Sequence, residues 1–172
     1  MGGEMGQNEP IMVTESFMRI LHETEMRILT SARAHWVTTN ILETYARGST
    51  FLAIVSGFIV SLLVAIPIAF GGLYQQYALL INLTIFVIGS FSSIISTSQA
   101  IFRWGERSQS HRIAASHYTN TRRRLEMMQL NLPLSAEELA PILEELTRLS
   151  DITPSVPEHI WKRAYREIRN QN

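Results

Sequence analysis

Five histidines, His22, His35, His111, His117 and His159, are the side chains of this 172-residue sequence best suited to metal or acid–base chemistry. No two stand three or four residues apart, the spacing that sets two imidazoles on one helical face, and no cysteine is present to complete a site. No GxSxG, HExxH or phosphate-loop pattern appears. Glu25 and Glu43 read as solvated helix charges. The sequence therefore predicts a non-enzymatic chain with no metal and no cofactor.

Hydroxyls in an uncharged setting give a stronger signal. From Gly48 to Phe102 there is no Asp, Glu, Lys, Arg or His, although the chain carries 15 acidic and 15 basic residues. With Asn82 at 0° and an α-helical turn of about 100° per residue, Gly89, Ser90, Ser92, Ser93, Ser96, Thr97, Gln99 and Ala100 fall within about 100° of it. Leu83, Val87, Ile88, Phe91, Ile94, Ile95, Ile101 and Phe102 occupy the other half, with Thr84 and Ser98 intruding on it and Ile85 and Phe86 intruding on the polar half. Such a stripe has two readings. Small residues let helices approach closely in a membrane, and hydroxyls bond across them. Alternatively, Asn82, Gly89, Ser92, Ser93, Ser96 and Gln99 line a water path once several chains assemble. With no carboxylate in this block, a charged selectivity ring or a proton relay inside the membrane is excluded.

The elements that must position this stripe follow from length. A membrane span needs about 20 apolar residues, so a neutral run of about 55 fits two spans and a short loop. The predicted first span is 50–70, the turn is Gly71 to Tyr77, and the second span is 78–102. Residues 1–13 read as a flexible tail. The segment 14–47 reads as an amphipathic helix, weakened at Thr38 and Thr39 by β-branching. Beyond the spans, 103–172 reads as a helical region: a long helix to about Gln129, a break at Asn131 and Pro133, and a helix opened by Ser135 and Glu138 as a capping box. A last helix starts at Pro157. Leu139, Ile142, Leu143, Leu146 and Leu149 make one apolar stripe, and Ile160, Trp161, Ala164, Tyr165 and Ile168 another. The expected fold class is an all-α integral membrane protein: a two-helix transmembrane hairpin between long amphipathic helices that build a cytoplasmic helical bundle.

Charge sets the expected orientation. Arg47 precedes the first span and Arg103, Arg107 and Arg112 follow the second, while the loop between is uncharged. The positive-inside rule then places both termini in the cytoplasm. The N-terminus has neither the basic nor the apolar region of a secretory signal. Arg112, Arg122, Arg123 and Arg124 are candidate contacts for anionic lipid, where each cation gains about 1 kcal/mol, or for another anionic ligand. No nucleic-acid polymer is expected as a partner.

The order of these elements, with Phe102, Arg103, Trp104, Glu106 and Arg107 followed by Arg112, Ala115 and Tyr118, resembles the SLATT family. These are two-transmembrane domains associated with SMODS nucleotidyltransferases and SLOG sensors. The stretch PSVPEHIWKRA from Pro154 to Ala164 is similar to the family's C-terminal proline-containing element. The resemblance covers about residues 20–168 and implies a pore-forming effector of conflict systems that depolarises the cell membrane. It also implies a trigger supplied in trans by a sensor protein or a nucleotide signal. Departing from family members with fused sensors, this chain shows no sensor or nucleotidyltransferase domain. Arg103, Trp104, Gly105, Glu106 and Arg107 are the expected coupling segment, with Gly105 as its hinge.

Two function classes follow. One is a homo-oligomeric pore of at least three chains, since one hairpin cannot enclose a channel. The other is a non-conducting membrane anchor or scaffold whose cytoplasmic helices recruit partners.

Overall fold

A computed structural model describes residues 9–130 and 136–170. They form five helices: α1, Glu9–Ala69; α2, Gly71–Phe102; α3, Trp104–Gln129; α4, Ala136–Ile152; and α5, Glu158–Arg169. No strand occurs among the described residues. Asn131, Pro133 and Ser135, the expected break and cap, lie outside them, as do residues 1–8 of the expected tail.

Three boundaries differ from the sequence expectation. First, the helix expected from Thr14 begins at Glu9 and runs without interruption into the first apolar segment. Thr38 and Thr39 do not weaken it visibly, because their hydroxyls donate to the carbonyls of Ala34 and His35, each at 2.9 Å. That bond gives a buried hydroxyl a partner without leaving the helix.

Second, Gly71 to Tyr77 is no loop. The chain breaks at Phe70 (φ −140°, ψ 63°), resumes as helix at Gly71, and kinks at Tyr77 (φ −120°, ψ 17°). Pro67, which has no N–H to donate, sits in the last turn before the break. The backbone stays bonded across the corner, through Phe70 N–H to Ile66 O at 2.8 Å and Tyr74 N–H to Phe70 O at 3.1 Å.

Third, the joint between α2 and α3 is at Arg103 and not at Gly105. Arg103 adopts the left-handed conformation (φ 47°, ψ 43°), while Gly105 lies inside α3. A left-handed residue commonly closes a helix, and it is usually glycine. Here the flanking bonds survive, with Arg103 N–H donating to Gln99 O and Arg107 N–H to Arg103 O. The Arg103 guanidinium is also ion-paired with Glu106.

The chain divides into two compact units. One holds the chain up to Thr39 and from Gln109 onward; the other is Asn40–Ser108. The first unit is a helical bundle built by the start of α1, most of α3, α4 and α5. Its core joins Leu21, Ile28, Ala32, Tyr118, Leu125, Leu139, Ile142, Leu146 and Leu149. These recur at steps of three, four or seven residues, so each of α1, α3 and α4 presents one apolar face. Leu143, expected in the same stripe, is 40% exposed, and Pro141 is accommodated inside α4. On α5 only Ile160 and Ala164 are buried; Trp161 and Tyr165 are partly exposed and stack on each other, ring centroids 5.6 Å apart.

The second unit contains the two apolar segments. Among the described residues, α1 and α2 with its continuation are long and apolar enough to cross a membrane. Almost nothing in those apolar stretches is buried: Ile68 is 88% exposed, Leu79 83% and Phe86 70%.

Candidate functional site

The hydroxyl stripe is split by the packing of the second unit. On α1 the covered residues include Ala46, Ser49, Ala53, Val60, Leu63 and Pro67, with Ser56 buried among them, at alternate steps of three and four. On α2 they include Ile81, Ile85, Ile88, Ser92, Ile95 and Gln99, at the same alternation. That spacing is the seam of a two-helix coiled coil. The two helices meet where Gln99 Nε2 donates to Thr50 Oγ1 at 3.5 Å. The seam has small residues at Ala46, Ser49, Ala53 and Ser56 on α1, which let apolar helices approach closely, and isoleucine at most positions on α2.

The covered arc of α2 is turned by about 100° from the centre of the hydroxyl stripe, at 100° per residue. Gly89, Ser92 and Gln99 therefore belong to both, and each is partly covered. Asn82, Ser90, Ser93, Ser96 and Thr97 remain exposed. The sequence pattern showed one polar face; the structure resolves it into a packed edge and an open edge.

Hydrogen bonding separates the two helices further. On α1, Thr44, Thr50, Ser56 and Ser61 each return their hydroxyl to a carbonyl of their own helix, at 2.8–2.9 Å. Thr84 on α2 does the same at 2.8 Å. Among the described residues, the hydroxyls of Ser90, Ser92, Ser93, Ser96, Thr97 and Ser98 form no hydrogen bond inside the chain. Asn82 meets the Tyr74 hydroxyl at long range, its Nδ2 at 3.3 Å and its Oδ1 at 3.5 Å. The stripe thus retains hydrogen-bonding capacity that the helix itself leaves unused.

The Arg103 joint is aromatic as well as charged. Trp104 stacks on Phe102, centroids 5.4 Å apart and planes 11° apart, and approaches Tyr45 at 6.1 Å. Trp104 borders two clefts. One, of about 330 Å³, is largely apolar and is lined by Tyr45, Gly48, Leu52, Ile94, Ile95 and Ser98. The other, of about 350 Å³, is lined by Thr50, Gln99, Arg103, Gly105 and Glu106. Arg107 is exposed.

The basic residues do not converge. Arg122 pairs with Glu126 at 2.7 Å, while Arg123, Arg124 and Arg112 are exposed on other faces of α3. Neighbours on a helix point about 100° apart, so three in a row cannot close on one anion.

Sequence spacing missed one cluster altogether. His35 of α1 and His111 of α3 are separated by 76 residues, yet their Nδ1 atoms lie 2.9 Å apart. Both are buried, with 4% and 6% of their surface exposed. Tyr118 stacks on His35, centroids 5.6 Å apart and planes 20° apart. Burial, reinforced by His111, pushes His35 down from 6.5 to about 4, and burial also lowers His111. Neutral imidazoles suit this contact, because one facing nitrogen donates and the other accepts. Around them the core turns small and polar, with Ala34, Thr38, Thr39, Ala114 and Ala115 buried. A cavity of about 240 Å³ opens beside His35, bordered by Ser31, Tyr118, Thr153, Ser155 and Trp161. No group of three metal-ligating side chains occurs among the described residues.

No family model matches the sequence, and no curated protein and no solved structure matches the chain.

Proposed function

We propose that this chain is a two-span membrane protein that assembles into an oligomeric, uncharged pore. The SLATT resemblance points to the same class of effector. The membrane reading rests on apolar helices whose side chains are left open by the chain's own packing. An apolar surface of this extent on a soluble monomer is a liability, whereas in a bilayer it is the solvated face. In this reading α1 and α2 form a hairpin across the membrane. The arginines before α1's apolar stretch and after α2 lie on the cytoplasmic side, with both termini, and Phe70 to Tyr77 makes the outer corner.

One observation carries the pore reading: hydroxyls on the open edge of α2 make no bond inside the chain, whereas those of α1 bond their own helix. Against lipid alone, such groups would gain by turning back to the i−4 carbonyl. Their availability fits an edge that meets water or a neighbouring chain. A homo-oligomer of at least three chains brings these edges together around an axis. The lipid bilayer and further copies of the chain are then its first partners, with a sensor protein or a nucleotide signal as trigger in trans.

The second reading, a non-conducting scaffold, has one observation in its favour: the stacked, partly exposed Trp161 and Tyr165 on α5, suited to a protein contact. Ion flux from liposomes holding the purified protein, with oligomer mass measured in lipid discs, decides between them. Flux from a homo-oligomer supports the pore. A stable assembly with no flux, or a monomer, overturns it.

A further inference from the structure

Two helices of the bundle are held together, close to where that unit ends, by something other than apolar packing. The unit ends at Thr39 on α1 and resumes at Gln109 on α3. Farther along, α1 and α3 meet through Leu21, Ile28 and Leu125. Near the boundary the buried residues of this unit are Ala34, His35, Thr38, Thr39, His111, Ala114 and Ala115. Thr38 and Thr39 each donate a hydroxyl hydrogen to a carbonyl of their own helix. Of the side-chain bonds that join α1 to α3 in this layer, the one between His35 and His111 is direct, buried and 2.9 Å long.

That bond has a specific proton requirement. With two neutral rings, a single hydrogen lies between the facing Nδ1 atoms, donated by one and accepted by the other. A first added proton can take an outer nitrogen and keep the bond, at the cost of a buried charge. A second leaves an N–H on each facing nitrogen, removes the acceptor and sets two cations side by side. We propose that the His35–His111 contact is an acid-released clamp between α1 and α3, closed while one hydrogen is shared between the facing nitrogens and opened when both rings become cations.

The surrounding charges do not offset this. Arg33 of α1 is bonded to Glu167 of α5 at 3.1 Å, and Glu167 also accepts from Arg163 at 3.0 Å. Arg112 and His117 of α3 and Asp151 of α4 are exposed, and Arg148 of α4 is held by Glu145 at 2.7 Å. Lys162 of α5 pairs with Glu158 at 2.6 Å. Tyr118, the other titratable group against the pair, meets His35 through its ring face, centroids 5.6 Å apart. The His35 shift has burial as its first cause and His111 as its second, and no carboxylate opposes them.

The clamp is read from the bundle; only its effect on conduction rests on the pore reading. The test uses the full chain in lipid discs with spin labels on cysteines at Trp36→Cys and Gln109→Cys, both exposed sites in a chain without cysteine. Between about pH 7.5 and about pH 4 the label separation should widen by about 5 Å, the scale of one helical turn. The same labels in His35→Asn/His111→Asn, whose amides bond without titrating, should not move. Equal widening in both chains, which shared carboxylates would produce, overturns the clamp, and so does no widening in the histidine chain. If the double variant fails to fold, ring-nitrogen shifts of His35 and His111 replace it: a widening whose midpoint departs from theirs overturns the proposal. Liposome flux is followed in parallel. Flux absent at every pH overturns the pore reading and leaves the distance measurement to judge the clamp.

Discussion

The Tyr118 ring lies over the His35 imidazole, 5.6 Å between centroids and 20° between planes, and so seals a histidine whose other neighbour is His111. The folded bundle holds His35 down at about 4 from 6.5, so between those values the unfolded chain binds more protons than the folded one. The stability due to the neutral pair is fully present above about 6.5 and is lost as the pH falls toward about 4. Chemical unfolding followed across this window should show a steeper acid loss for the native chain than for His35→Asn. Parallel slopes would mean that the pair contributes nothing to acid sensitivity.

Leu143 and Leu149 test the bundle core. Both are leucines of the same helix, but Leu149 is fully buried and Leu143 is 40% exposed. Leu149→Ala should cost about 2–5 kcal/mol and Leu143→Ala less than about 1 kcal/mol. Equal costs in urea unfolding would refute the assigned face of α4.

The open edge of α2 is tested by single cysteines. A cysteine at Ser93 or Ser96 should react with a water-soluble thiol reagent in assembled protein, since the reacting thiolate forms in water. Ile94 lies 63% exposed on the apolar side and should be protected by lipid, and Ile95 by the seam. Protection at all four positions would favour packing over a water path.

Gly89 separates the chain from its assembly. A Cβ built there meets nothing within 4 Å in the single chain. Gly89→Leu should therefore leave the thermal unfolding of the bundle unchanged while breaking an oligomer that packs along the stripe. Native mass spectrometry of the variant reads the second effect. An intact oligomer would show that this edge does not bear the contact between chains.

At the joint, Arg103→Gly should stabilise the α2–α3 connection by about 1 kcal/mol, because glycine adopts the left-handed conformation without a Cβ penalty. Gly105→Ala should also stabilise by about 1 kcal/mol, as it replaces a helical glycine with open space around it. Only the first changes the residue at the bend. If Gly105→Ala alters flux while Arg103→Gly does not, the hinge belongs at Gly105 after all.

The legible part of this molecule is the part written in local pattern. Uncharged length exposed the two apolar helices, and periodicity exposed Leu139, Ile142, Leu146 and Leu149. The angular stripe on α2 was visible too, but its division was not, because coverage at Ser92 and exposure at Ser93 depend on a second helix. The bend at Arg103 was hidden by composition: the nearby glycine attracts the assignment, while the backbone places its left-handed residue two positions earlier. The His35–His111 pair carries no local trace at all. Residues 76 apart become neighbours only when α1 and α3 pack, and metal-ligand spacing searches a single helix.

The seam and the open edge occupy different arcs of α2 and share Gly89, Ser92 and Gln99. Their defects are therefore genetically separable. Substitutions at Ile85, Ile88 or Ile95 should damage the pairing of α1 with α2 while leaving the hydroxyls untouched, and substitutions at Ser93 or Ser96 should do the reverse. In a random mutant collection, loss-of-function alleles would fall into two classes by helical angle, with Ser92 and Gln99, which serve both arcs, giving compound phenotypes that belong to neither.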